Sequence, residues 1–467
     1  MRLSWLAVTA FALAGVGTPT AARDVAATLP VPASGIIGVT ADQLTPAYWI
    51  ARQAQPQRVL LDAAQVAAQN ARLLQLDSSM HDLRALPPTL DRAQVTGWIE
   101  ALSRPPQRPL FAIDGTPVPT ATLDALVDQL ALERIPAQQK TRYGLLVRRV
   151  ALRTFPTTLR VFTERGETDI DRFQETAEAI GTPVVIAHTS RDGAWLFVLS
   201  PRYAAWVARG DVAEGPAAQV FAYVEHTPYR VVTGADERTV FTPEQPAVSR
   251  VQLDPGTRVP VLTDLPPTQP VNGQTPYTTH VLQLPVRAND GSLQFTPALL
   301  QKHTDTAAAY LPLNAANIIG QAFKLLGERY GWGGAYGGRD CSSFVADVYA
   351  GMGVVMPRNT GRQASSPAFA RTLFTASSTP AERLRAAHAL QVGDLVYIPG
   401  HVLLVLGQVD GQPYVIHDVA RMSYRRADGS IARIKLNAVS VTPLLPLLFD
   451  DQHTYVERMT SIVRMRR

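Results

Sequence analysis

Cysteine is almost missing from this chain: Cys341 is the one thiol in 467 residues. No internal disulfide can form, and no C-x-x-C or multi-cysteine zinc site can be built. Long apolar runs are also missing. The stretch from Leu3 to Val16 is too short for an ordinary membrane span, and no other segment reaches that length without charges or prolines. With Met1-Arg2 before it and Thr20-Ala21-Ala22 after it, this stretch reads as a secretory signal peptide, residues 1–22. No cysteine stands near the cleavage point, which excludes a lipid anchor on cysteine. The mature chain is expected to be exported, periplasmic where the host has an outer membrane, monomeric and without a membrane anchor. A dominant charge is lacking too. Lys and Arg total 44 against 39 Asp and Glu, and the clearest basic cluster is the terminal Arg464-Met-Arg-Arg467. Nucleic acid is therefore not the expected partner.

Turns and apolar residues are abundant: 36 prolines, 31 glycines and 46% hydrophobic residues fit several small, turn-rich modules with real cores. The length allows roughly three or four domains. Residues 41 to 135 read as short helices, with Leu60 to Asn70 and Ala121 to Leu130 showing helical apolar spacing and Pro87-Pro88 and Pro105-Pro106 interrupting them. Residues 140–214 read as short strands: 144–152, 182–188, 194–199 and 203–207, with Arg191-Asp192-Gly193 as a hairpin turn. Together they fit a small barrel. A less regular strand-rich stretch follows to about 290, its first strand expected at 219–224. The last section begins near 312 with a helix expected over 315–330, then the cysteine turn, a second helix, a polar excursion and strands at 394–398, 401–406 and 414–417. Helices followed by sheet give an α+β order.

Cys341 sits in Arg339-Asp-Cys-Ser-Ser-Phe344, after the Gly-rich Tyr330-Gly-Trp-Gly-Gly-Ala-Tyr-Gly-Gly338 and before an apolar helical segment. A thiol in the first turn of a helix is favoured as thiolate by the unpaired N–H groups there. Polar neighbours Asp340, Ser342 and Ser343 do not describe a buried apolar slot. His401 opens a strand after Gly393-Asp-Leu-Val-Tyr-Ile-Pro-Gly400 and could take the thiol proton; His417, past Val409-Asp410-Gly411, could orient it. The seven other histidines have no such setting. Zinc on Cys341, His401 and His417 is the rival reading, but the spacings match no usual zinc pattern. Strand parity adds a constraint. A two-residue Asp410-Gly411 turn in a regular hairpin would put the two histidines on opposite faces. An odd-length loop, 409–411, or a bulge is required, with both rings expected to face the Cys341 helix.

Tyr330-x-Trp-Gly-Gly, Asp340-Cys-Ser-Ser-Phe344, Met356-Pro-Arg-Asn with Gln363, Gly393-Asp-Leu-Val-Tyr with Gly400-His401, and Val415-Ile-His417 together resemble the NlpC/P60 cysteine peptidases. The resemblance covers 312–467. Upstream, Arg149 to Pro156, Asp171 to Glu175, Gly181-Thr-Pro, His188 to Trp195 and Ala205-Trp206-Val207 are similar to a bacterial SH3 domain, and Pro46 to Ile50 to the N-terminal clip domain of one subgroup. The implied fold is α+β and multidomain: a helical clip domain at 23–139, SH3-like barrels at 140–214 and 215–311, and a papain-like catalytic domain at 312–467. The implied activity is hydrolysis of the γ-D-glutamyl–diaminopimelate bond in peptidoglycan-derived muropeptides, without metal or cofactor. Stems with a free N-terminal L-Ala are preferred, because the first SH3 domain narrows the groove. By resemblance Cys341 is nucleophile, His401 base and then acid, and His417 the orienting third member. Tyr330 lies by the oxyanion, and Asp340 and Ser342 bind the stem. An acidic residue and a tyrosine within 140–214 are implied at the L-Ala amine, without a motif that fixes them. Ser343 departs from the commoner glycine. A decayed wall-binding protein, or an amidase or acyltransferase on the same fold, are the alternatives.

Overall fold

The structure is a computed structural model that describes residues 38–466 apart from 267 and 427; the signal peptide read at 1–22 lies outside them. Four helices open it: α1 (Pro46–Ile50), α2 (Ala63–Leu76), α3 (Arg92–Leu102) and α4 (Thr120–Gln129). Asp62 and Gln65 start α2 with a reciprocal capping box. These helices do not form a core of their own. Trp49, Val66 and Leu73 of α1 and α2 pack with Ile318, Phe323 and Tyr414 near the other end of the chain. Val95, Ile99 and Leu126 of α3 and α4 pack with Phe155, Phe197 and Trp206 of the following unit. The segment read as one helical domain divides its apolar faces between two cores.

That following unit is a seven-stranded antiparallel sheet: β1 (Arg142–Leu146), β2 (Val150–Arg153), β3 (Gln174–Glu178), β4 (Pro183–Thr189), β5 (Trp195–Leu199), β6 (Ala204–Ala208) and β7 (Val212–Gly215). The order is β3-β2-β6-β5-β4-β1-β7. The single strand expected over 144–152 is two strands, and the sheet has more strands than the pattern suggested. Residues 219–224, expected as a strand, lie in helix α5 (Ala217–Glu225). Their β-branched and aromatic residues suggested a strand, yet Val220 and Tyr223, three apart, are the buried ones. The second strand-rich unit holds a three-stranded sheet on Tyr229–Val232 and the hairpin Thr279–Arg287/Leu293–Gln301.

The C-terminal unit starts with α6 (Ala315–Lys324). This helix is shorter than expected: at Gly327, with φ +82°, the chain turns extended, and 327–330 bonds along 437–439 as an extra strand (Gly327 N–H to Val439 O 3.0 Å, Tyr330 N–H to Asn437 O 3.0 Å). Helix α7 (Cys341–Ala350) follows, then α8 (Thr360–Ser365) and α9 (Pro380–His388). The six-stranded antiparallel sheet contains β8 (Ala370–Leu373), β9 (Leu395–Ile398), β10 (His401–Val409), β11 (Gln412–Val419), β12 (Ala438–Pro443) and β13 (Ser461–Arg464), in the order β8-β13-β9-β10-β11-β12. Among the described residues no helix is long and apolar enough to cross a membrane.

The Gly-rich 331–338 segment docks the C-terminal unit on β3. Gln174 Nε2–H donates to Gly333 O (2.8 Å), Trp332 Nε1–H to Gln174 O (3.1 Å), and Arg149 to Gly334 O and Gly338 O (2.9 and 2.8 Å). Gly333 has φ +58°, and a Cβ there would lie 3.0 Å from Gln174 O. Gly333→Ala should therefore lower stability by more than about 1 kcal/mol. Gly320→Ala, inside α6 with nothing within 4 Å of the new Cβ, should raise it by up to about 1 kcal/mol. Opposite shifts of Tm in the two variants check the pair.

Candidate active site

The site is built on the tip of α7. Asp340 is its N-cap, Cys341 its first residue, and Asp340 and Ser343 form a capping box. Five donors converge on the Asp340 carboxylate. Oδ1 accepts from Ser343 N–H (3.0 Å), Ser343 Oγ (2.8 Å) and Ser342 Oγ (3.1 Å). Oδ2 accepts from Gly333 N–H (3.1 Å) and Arg358 Nη2 (2.7 Å). Arg358 also donates to Ser342 Oγ (2.8 Å) and, through Nε, to Thr176 Oγ1 of β3. Burial alone would push Asp340 up; the Arg358 charge and these bonds outweigh it and hold the carboxyl below its usual range. Asp340 and Ser342, expected to bind the stem, are buried, and their side chains are spent on holding the turn. Arg358 stands in the Met356-Pro-Arg-Asn motif, which was the available signal for it.

Cys341 is 6% exposed. Its Sγ lies 3.7 Å from Thr360 Oγ1 and 4.0 Å from Gly400 O, with the Val402 N–H directed at it, so the thiol meets the backbone on either side of His401. His401 Nε2 and His417 Nδ1 are 2.8 Å apart, and His417 Nε2 is 3.0 Å from Thr442 Oγ1. The rings stand 5.1 Å apart, and His401 also meets Tyr455 edge-on at 6.2 Å.

The hairpin carries the required irregularity, in a different place from the one expected. Val409 pairs with Gln412, so Asp410-Gly411 is a two-residue turn, with φ +50° and +75°. Those signs suit a type I′ turn. The bulge lies between Val405 and Gly407, and beyond it Val405 faces Val415 and Leu404 faces Ile416. This one-residue shift puts His401 and His417 on one face as diagonal neighbours. That face carries Val405, Val415 and Tyr455. Phe344 and Val345 of α7 pack with Leu404 and Ile416 on the other. The rings thus do not face the body of the Cys341 helix, as expected; only its first residue comes to their end of the strand.

The charge state also differs from the expectation of a thiolate. Burial, reinforced by the Asp340 charge, pushes the Cys341 thiol up to about 12. Burial brings His401 down to about 4, and burial with the neighbouring His401 holds His417 well below the usual histidine range. The helix terminus does not overcome desolvation here. The resting site thus holds a neutral thiol and neutral imidazoles. Tyr330, 7% exposed, is kept a neutral phenol mainly by burial, and any charge on Cys341, together with the Asp340 charge, adds to it. Among the described residues no three His, Cys, Asp or Glu side chains are grouped to hold a metal.

In the SH3 unit, Glu175 on β3 accepts from Tyr203 Oη (2.5 Å) and from Thr154 Oγ1. Tyr203 also bonds Asn359, next to Arg358. No local signal in the sequence marks Glu175 or Tyr203; they meet the catalytic unit through chain segments some 150–180 residues apart.

Residues 327–439 match the model of the NlpC/P60 family, and residues 160–208 that of an SH3 domain of SH3b1 type. A solved NlpC/P60 endopeptidase from Photobacterium damselae subsp. piscicida is 14% identical, with a TM-score of 0.70, over 90% of this chain and 96% of its own. An NlpC/P60 family protein from Bacillus cereus ATCC 10987 is 18% identical, with a TM-score of 0.45, over 70% of this chain and 99% of its own. The first likeness is one of overall fold. No curated protein matches the chain.

A thiol pushed up by burial loses its proton progressively as pH rises. Alkylation of Cys341 by a small electrophile should be slow at neutral pH and climb about tenfold per pH unit up to about pH 8. A plateau reached below pH 7 would mean a preformed thiolate–imidazolium pair instead.

Proposed function

We propose that this chain, whose C-terminal unit belongs to the NlpC/P60 family and whose first β unit is an SH3 domain, is a cysteine peptidase of peptidoglycan stem peptides. Its bond is γ-D-glutamyl–diaminopimelate, and its substrates carry a free N-terminal L-Ala. The observation that carries this is the thiol at the helix tip beside a strand that opens with one histidine hydrogen-bonded to another at 2.8 Å.

For His401 to accept a proton at Nδ1, its own proton sits on Nε2 and is donated to His417 Nδ1. His417 then donates from Nε2 to Thr442 Oγ1, so the chain His401–His417–Thr442 accommodates the tautomer the reaction needs. The Cys341 proton passes to His401 Nδ1 as sulfur attacks the scissile carbonyl carbon. The C–N bond breaks, His401 returns the proton to the leaving amine, and a thioester remains. Water, giving its proton to His401, attacks the thioester and frees the γ-carboxylate and the thiol. Because the resting pair is neutral, charge separation coincides with attack rather than preceding it. Tyr330, a neutral phenol beside the thiol, is the proposed donor to the oxyanion.

Glu175 and Tyr203 support the free-amine preference: a carboxylate and a phenol next to Arg358 and Asn359 can hold an ammonium where a longer glycan-linked stem would have to pass. Exported location, read from residues 1–22, is part of the same proposal, because this substrate lies in the envelope.

Cys341→Ser should cut hydrolysis of L-Ala-γ-D-Glu-diaminopimelate more than about a hundredfold, and His401→Ala by about 10²–10⁴. Near wild-type turnover by Cys341→Ser, read by mass spectrometry, would falsify the cysteine mechanism. Acetylating the L-Ala amine should slow cleavage at least about tenfold, equivalent to about 1.4 kcal/mol. Equal rates for the free and acetylated peptides would remove Glu175 and Tyr203 as the amine site.

A further inference from the structure

One buried carboxyl has no part in that mechanism. Asp418 follows His417 on β11 and is 0% exposed, and among the described residues neither of its oxygens has a hydrogen-bond partner. Alternation turns it away from His417, to the other face of the sheet. It lies opposite Val439, which packs in the core shared with α7. The extra strand 327–330 runs along Val439 on its far side, where the Val439 N–H bonds Glu328 O at 2.9 Å.

The groups around Asp418 make ionisation unfavourable. From the tip of α7 come ionised Asp340 and the Cys341 thiol, and from the extra strand Glu328 and Tyr330. Arg339 is the one cation acting on it among the described residues, and its Nη1 and Nε are already bonded to Glu328 (2.5 Å) and Asp347 (2.7 Å). The Glu328 Oε1 acceptor also has no donor among the described residues. Among the described residues this corner thus gathers unpaired acceptors, while the bonds Arg339 makes go to Glu328, Asp347 and Ala235 O instead of Asp418. A burial of this kind is costly for a carboxylate and far less so for a carboxylic acid, whose O–H supplies the missing donor. Burial, followed by the Asp340 and Glu328 charges, pushes Asp418 up to about 9.

We infer that Asp418 is a protonated carboxylic acid in the active enzyme and that losing this proton sets the alkaline limit of the reaction. Ionised, it would place a second full negative charge, after Asp340, beside the thiol and the Tyr330 phenol. It would oppose both the developing thiolate and the charge on the tetrahedral oxygen. Asp418 is a positioning residue that acts through Cys341 and Tyr330 without touching substrate. The inference rests on the peptidase reading only for its effect on turnover; the proton itself is independent of it.

The test uses the whole chain and Asp418→Asn, which keeps the shape and fixes the neutral form. At pH 7 the wild-type infrared spectrum should contain a protonated-carboxyl C=O band that is absent from Asp418→Asn. The band should vanish as wild type is taken from about pH 8 to about pH 10. Over the same range, kcat/KM for the tripeptide should fall at least about tenfold in wild type relative to Asp418→Asn, with the two equal within about twofold at pH 7. Alkylation of Cys341 at about pH 10 should be several-fold faster in the variant. No difference band at pH 7, or superimposable alkaline limbs, overturns the inference. Should Asp418→Asn fail to fold, the wild-type infrared titration decides alone: no band lost over that range overturns it. If neither protein cleaves the peptide, the peptidase reading fails, while the band and the alkylation rates still decide on Asp418.

Discussion

The buried pair between Arg358 and Asp340 is the contact on which the other parts of the site depend. One carboxylate caps the nucleophile's helix, fastens the Gly-rich segment through Gly333 and neutralises a guanidinium that reaches β3 of the SH3 unit through Thr176. Removing one partner of such a pair strands a charge in the interior, at about 3–5 kcal/mol. Here the loss would also free the helix tip and the contact between units. The thiol's position and the contact with the first β unit are thus set by the same residue, and one cannot be adjusted without the other.

Electrostatically the site is built from opposed choices. Asp340 is surrounded by five donors and stays charged, whereas Asp418 has none and favours its acid form. Cys341 and His401 are driven by desolvation toward neutral states, in opposite directions on the pH scale. A site with one permanent negative charge near the nucleophile has little tolerance for a second. The surrounding chain keeps Glu328 and Asp347 matched to Arg339.

What could be read in advance follows the range of each interaction. The Cys341 turn was legible because the cap, the glycines and the apolar spacing of α7 lie within twenty residues. The two histidine strands were legible from their alternation, and parity alone demanded an irregularity between them. Its location was not legible. Asp410-Gly411 satisfies a two-residue turn locally, so the correction moved to the Val405–Gly407 stretch, where Trp49 from the start of the chain covers Gly407 with its ring carbons 3.5 Å from a would-be Cβ. Helix α5 was missed because its composition favours strand while its burial repeats every three residues. Glu175, Tyr203 and Asp418 carried no local sign at all. Their settings are made by distant segments folding over them, and the thiol's high proton affinity is a property of that enclosure, not of the helix start.

The divided N-terminal segment has a consequence for the order of events during folding. Trp49 and Val66 share their core with Ile318, Phe323 and Tyr414, more than 250 residues later. Closing so long a loop is entropically slow, and the contacts that reward it do not exist until the last unit has been made. Helices α1 and α2 must therefore wait, with their apolar faces open, for the C-terminal unit. A truncated product could assemble the SH3 sheet with α3 and α4, yet it would leave α1 and α2 undocked. The C-terminal unit thus decides the burial of Trp49: that ring is covered only once the segment carrying Ile318, Phe323 and Tyr414 is folded.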